Sequence, residues 1–183
     1  MTFDTASPGA HRAVSVPSTF FATLRGALQG DPGQPTIGVD AIRDAGYAAG
    51  RALHDDFAGW LMEQGERSPG DLADDRFGVL VEAFFHLHGW GRVEIAELSD
   101  AVFAIDAFDW VEDGRTGGGC LVSTGLFAGF FGCIAQAPLA VLEVDVGVTP
   151  GHCRFLIGSV DVMHELWEAM GRGERYDDVA PAL

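Results

Sequence analysis

Three side chains in one stretch of this chain can do more than pack: the thiols of Cys120 and Cys153 and the carboxylate of Glu143. Cys120 follows a G-R-T-G-G-G loop at 114–119 and opens an apolar segment notched by Gly125, Gly129 and Gly132. A thiol at a helix N-terminus faces the positive end of the helix dipole, which lowers its pKa and can make it a reactive thiolate. The plainer reading is that Cys120 and Cys153 are buried thiols acting as small apolar residues. The glycine-rich loop precedes a helix as phosphate cradles do, but no lysine follows it and the strand context of a nucleotide fold is missing, so a flexible connection is the expectation. Ser123 and Ser159 stand outside any nucleophile-elbow pattern, and there is no H-E-x-x-H. Nothing assembles an acid, a base and a nucleophile, which points to binding rather than catalysis.

The elements that must position these groups follow from periodicity. Residues 120–136 are apolar nearly all round, as suits a buried helix whose glycines let neighbouring backbones come close. Leu139 to Val148 is rich in β-branched residues and reads as a strand; T-P-G at 149–151 turns it into a second strand through C-R-F-L-I-G. Upstream, Thr36 to Gln64 carries Ile37, Ile42, Tyr47, Leu53, Phe57 and Leu61 at helical spacing. Leu72 to His88 is a further helix with an aromatic stripe, broken by G-W-G-R. Val93 to Leu98 and Ala101 to Trp110 read as strands; the second has only Asp106 as a polar residue on one face, so it is expected to be covered on both sides. Val160 to Met170 closes the pattern as a helix. Residues 1–17 read as an extended or disordered arm, residues 18–170 as one domain, and 171–183 as a polar tail. Within that domain, Ser18 caps a short helix whose Phe20, Phe21 and Leu24 form an apolar face suited to a homodimer contact.

Composition narrows the partners. The 183 residues carry a net charge of −16 and no lysine. A sequence-independent grip on nucleic acid is therefore not expected, and an anionic membrane surface is disfavoured. The longest apolar run falls short of the roughly 20 residues a membrane span needs. Three cysteines without a signal-peptide pattern lead us to expect a reducing cytoplasm. Thirteen phenylalanines and four tryptophans are many for this length, and read either as plain core or as the lining of an apolar pocket.

Four motifs in order carry a resemblance: A-G-Y-A-A-G-R-A-L at 45–53, G-W-G-R-V-E-I at 89–95, the glycine-notched G-C-(x4)-G-L-F-A-G-F-F segment with L-E-V-D-V behind it, and G-H-C-R-F-L-I-G at 151–158. Over residues 36–160 the chain resembles the 4-vinyl reductase-type ligand-binding domain, whose superfamily includes phenol-sensor domains and transport-particle (TRAPP) subunits. The resemblance implies an α+β fold, an antiparallel sheet of about four strands packed with about five helices, and a homodimer. It implies an internal hydrophobic pocket for an apolar or aromatic molecule, with Phe84, His88, Trp90, Phe103, Phe127 and Phe130 as the lining, in a sensor or a carrier. The cavity is expected where Gly125 and Gly129 leave room against the sheet. It also implies two alternatives: an enzyme or accessory factor in tetrapyrrole vinyl-group reduction, and a scaffold subunit without ligand.

In phenol-sensing members a structural zinc is held by a helix-opening cysteine, a strand glutamate and two later cysteines. Cys120, Glu143 and Cys153 match three of these; Val146 stands where the other cysteine would be. Asp145, on the strand face of Glu143, is the expected substitute. Cys133 is a poor one, because thirteen residues at about 100° each put it roughly opposite Cys120 on the helix. Zinc at this group and two inert buried thiols both remain open on the sequence.

Overall fold

The computed structural model describes residues 37–112, 119–144 and 151–183. The expected dimer helix around Phe20, Asp145, Val146 and the glycine-rich loop at 114–118 lie outside them. In chain order come α1 (Ile37–Glu63), a 3-10 turn (Pro69–Asp71), α2 (Asp74–Leu87), β1 (Arg92–Glu97), β2 (Val102–Phe108), α3 (Leu121–Ala135), β3 (Leu139–Val144), β4 (His152–Ser159), α4 (Val160–Gly171) and α5 (Tyr176–Val179). The strands form one antiparallel sheet in the order β1-β2-β4-β3. The architecture is the expected α+β one.

Strand alternation divides the sheet into two faces. Val93, Ile105, Ala107, Cys153, Phe155 and Ile157 face the layer of α1, α2 and α3, where the larger core lies. Val102, Ala104, Val144 and Leu156 face the other way, onto Met163 and Leu166 of α4. β2 is buried on both sides, as its near-unbroken apolar run requires. The closing residues differ from a simple polar tail: α5 and the turn after it bring Ala180, fully buried, against the outer face.

The helix layer is held by α1 and α3 crossing backbone to backbone. Gly46 and Gly50 of α1 meet Gly125 and Gly129 of α3, each set four residues apart and so on one helix face. A Cβ at Gly50 would lie 2.0 Å from the Leu126 carbonyl oxygen, and one at Gly125 would lie 2.1 Å from that of Arg43. This corrects the expected cavity. The notches in α3 turn to α1, whose carbonyls fill them, while the Phe127 and Phe130 face of the helix meets the aromatic core. α2 ends where Gly89 and Gly91 take positive φ, the break that G-W-G-R predicts.

Candidate functional site

Cys120 stands at the N-cap of α3, Glu143 on the inner face of β3 and Cys153 on the inner face of β4. The fold brings these three together. The two sulfurs are 3.1 Å apart, and one ligand atom from each residue lies within 4.8 Å of the others. The Cys120 backbone N–H donates to Glu143 Oε2 at 2.6 Å. Gly119, at φ +71°, leaves room for that carboxylate, since a Cβ there would come within 2.7 Å of Glu143 Oε2. Cys133 is not part of the cluster.

The group could hold a metal ion. Two thiolates and a carboxylate are the donor types of zinc, and sulfurs on a tetrahedral zinc at about 2.3 Å each would stand about 3.8 Å apart. The pair here, at 3.1 Å, would need to open by about 0.7 Å to reach that spacing. The residues present fit three positions of such a site.

As a free thiol Cys120 is no nucleophile. Its pKa is pushed well up, first because its sulfur shares a hydrogen bond with Cys153, then because it is buried and because Glu143 and Glu112 place negative charge beside it. These outweigh the helix dipole, so the thiolate reading of Cys120 is corrected to a buried, protonated thiol.

A residue missed from the sequence completes the neighbourhood. Cys120 makes no side-chain cap to α3, and Glu112 supplies it from ten residues away. Its carboxylate accepts from Val122 N at 3.0 Å, Ser123 N at 2.7 Å and Ser123 Oγ at 2.6 Å. Trp110 Nε1 donates to the same Ser123 hydroxyl at 2.7 Å. Glu112, Ser123 and Trp110 are all buried. The one available signal was indirect: no Ser, Thr, Asp or Asn stands at 119–121, so a remote acceptor had to serve the helix end.

The expected pocket residues fall into two groups. Phe84, Phe127 and Phe130 are fully buried. His88 lies with its ring 4.1 Å from that of Phe84 and its Nδ1 2.8 Å from the Phe84 carbonyl oxygen. Trp90, half-buried, meets Trp110 at 5.8 Å, and Trp110 stacks on Phe127 at 5.3 Å. These five belong to one connected aromatic layer between helices and sheet. Phe103 stands apart near the start of β2 and is 39% exposed.

The outer face of the sheet carries a polar cluster. Asp106 accepts from Arg154 Nε at 2.8 Å and Nη2 at 2.7 Å, and lies 2.7 Å from His152 Nε2. Burial would raise the Asp106 pKa, but the hydrogen bonds and charges of Arg154 and His152 more than offset it and hold it below its ordinary value. Arg154, His152 and Tyr176 help line a surface cleft of about 570 Å³ against α4 and α5.

No family model and no curated protein matches the chain. Solved structures do. The phenol-responsive sensory domain of the transcription activator PoxR, solved with phenol, is similar over 82% of this chain and 77% of its own, at 12% identity and a TM-score of 0.56. A trafficking protein particle complex subunit 3 from Naegleria fowleri, covalently bound to palmitic acid, is similar over 77% of this chain and 91% of its own, at 10% identity and a TM-score of 0.57. A vinyl-4-reductase family protein from Methanocaldococcus jannaschii aligns over 81% of this chain and 85% of its own, at 17% identity and a TM-score of 0.48. The chain thus shares its fold with the PoxR sensory domain and the trafficking subunit.

Proposed function

We propose that this domain is a binding module for a small apolar or aromatic molecule, acting as a sensor or a carrier. The observation that supports it is the aromatic layer between helices and sheet, with His88 as a polar ring at its edge, in a fold where one solved protein carries phenol and another palmitic acid. The proposed lining is Phe84, His88, Trp90, Phe127 and Phe130, with Phe103 at the far end of β2. Since the α3 notches are filled by α1, room for a guest has to come from the rings themselves moving apart. His88 and Trp90, at the exposed margin, are the natural entrance.

The test uses phenol and palmitic acid as separate probes. Binding should quench tryptophan emission and raise the melting temperature with ligand concentration. At a hundred times the dissociation constant the gain is about 2.7 kcal/mol, or roughly 5–10 °C for a chain of this size. No quench and no shift with either probe at millimolar concentration would overturn the reading. The scaffold alternative would then stand, and the complete burial of Phe84, Phe127 and Phe130 already favours it in part.

Two finer parts belong to the same reading. Cys120, Glu143 and Cys153 hold a structural zinc that ties α3 to β3 and β4, in a cytoplasmic setting whose reducing conditions keep the two cysteines available as ligands. The chain forms a homodimer through Phe20, Phe21 and Leu24. Sedimentation should give about twice the 19.4 kDa chain mass, and a single 19.4 kDa species at micromolar concentration would remove the dimer.

A further inference from the structure

We propose that Glu112 is a positioning residue for the Cys120–Glu143–Cys153 group: it holds the end of α3 so that the Cys120 sulfur stays where a metal ion can be gripped. This rests on the metal reading above.

Three observations meet at Glu112. Its carboxylate takes the amides of the second and third helical residues, Val122 and Ser123, the place an N-cap side chain would fill. Its own backbone carbonyl accepts the Cys120 thiol at 2.7 Å. One residue therefore touches both the helix end and the candidate ligand that opens it. The carboxylate is buried, which is costly unless hydrogen bonds satisfy it, and three donors from Val122 and Ser123 do so. Trp110 anchors the Ser123 hydroxyl in turn, just beyond the end of β2. Through Glu112, Ser123 and Trp110 the helix end is thus tied to the segment that leaves β2.

The two contacts of Glu112 are not equivalent once Cys120 binds metal. A metal ligand must be a thiolate, so the thiol proton leaves and the link from sulfur to the Glu112 carbonyl ends. The carboxylate contacts do not involve that proton and persist. They then keep Cys120 Sγ beside Cys153 Sγ and keep the Cys120 N–H aimed at Glu143 Oε2. Glu112→Gln removes part of this: the side-chain oxygen can still accept from Ser123, but the NH2 faces the Val122 N–H, donor against donor.

The experiment is a Co²⁺ titration of the full chain, read by the sulfur-to-cobalt charge-transfer band and the visible d–d bands, with far-UV circular dichroism as the folding control. Wild type should take up one equivalent. Glu112→Gln should weaken Co²⁺ binding by about 10–100-fold and alter the d–d bands, and Ser123→Ala, which keeps both amides, should do so less. Ser159→Ala removes the cap of α4, where Ser159 Oγ accepts from Val162 N, and should leave the cobalt spectrum unchanged. Wild-type affinity and spectrum in Glu112→Gln would overturn the positioning role while the metal centre stands. No Co²⁺ uptake by wild type would overturn the metal reading and this role with it. Should Glu112→Gln fail to fold, Ser123→Ala decides, and wild-type cobalt binding in that variant counts against the proposal.

Discussion

Gly50→Ala tests the packing that most shapes this domain. An alanine Cβ at Gly50 would lie 2.0 Å from Leu126 O, 2.8 Å from Leu126 C and 2.9 Å from Phe130 N. Against an ordinary 3.4 Å contact the first of these falls short by about 1.4 Å. All three obstacles are backbone of α3, so no rotamer change relieves them and the helices must part. A gap of about 0.5–1 Å already forfeits a quarter to a half of each dispersion contact. Overpacking of this kind costs about 1–3 kcal/mol, and the backbone obstacle argues for the upper end. Alanine returns about 1 kcal/mol of helix propensity, leaving a net loss of about 2 kcal/mol. Gly59 lies in the same helix, and a Cβ there would meet nothing within 4 Å. Gly59→Ala should therefore gain up to about 1 kcal/mol. Urea unfolding of both variants at unchanged m-value gives the comparison. If Gly50→Ala matches or exceeds Gly59→Ala in stability, the α1–α3 contact is not as close as described and the argument from the glycines fails.

Two other outcomes follow from the polar groups. The Asp106 pKa lies below its unfolded value near 3.9, so its contribution is complete above that value and is lost as pH falls through the folded one. Asp106→Asn should cost on the order of 1–3 kcal/mol at pH 7, and the gap to wild type should close below about pH 4; a gap that stays constant down to pH 2 would show that Arg154 and His152 do not set this carboxyl. Purified wild type should carry near one equivalent of zinc and lose stability on chelation, and Cys120→Ser should lack both properties. A metal-free, fully stable wild type untouched by chelator would leave Cys120 and Cys153 as packed thiols.

The fold was legible where hydrophobic period and length agreed. α1, α2, α3, α4, β1, β2 and β4 begin and end within a few residues of the expected limits, because each carries a long apolar face bounded by turn or polar residues, while the expected end of β3 at Val148 lies outside the described residues. The closing segment was not legible. In G-E-R-Y-D-D-V-A-P-A-L the charged residues come first and the apolar ones follow without a helical or strand period, and what orders the segment is tertiary: Ala180 joins the outer-face core with Met163 and Leu166, which no local pattern announces. The direction of the α3 notches was likewise invisible. Glycine spacing shows that a backbone must approach, but a helix apolar all round does not say from which side, and α1 rather than the sheet was the partner.

The candidate site separates these two kinds of information sharply. Cys120, Glu143 and Cys153 lie far apart along the chain yet converge, because each sits at a position that strand alternation or a helix start can fix: Glu143 shares the inner face of β3 with Val141, Cys153 the inner face of β4 with Phe155, and Cys120 opens α3 beside both. Glu112 has no such address. It follows β2 and precedes a glycine-rich loop, in no periodic element, and its partners Val122 and Ser123 are reached through backbone amides that carry no side-chain signature. Groups that offer their own side chains to a site can be found by type and spacing; groups that hold the backbone beneath them have to be found by asking which amide would otherwise lack an acceptor. At the start of α3 that question has one answer for Val122 and Ser123, and the answer is a buried carboxylate next to the thiol pair.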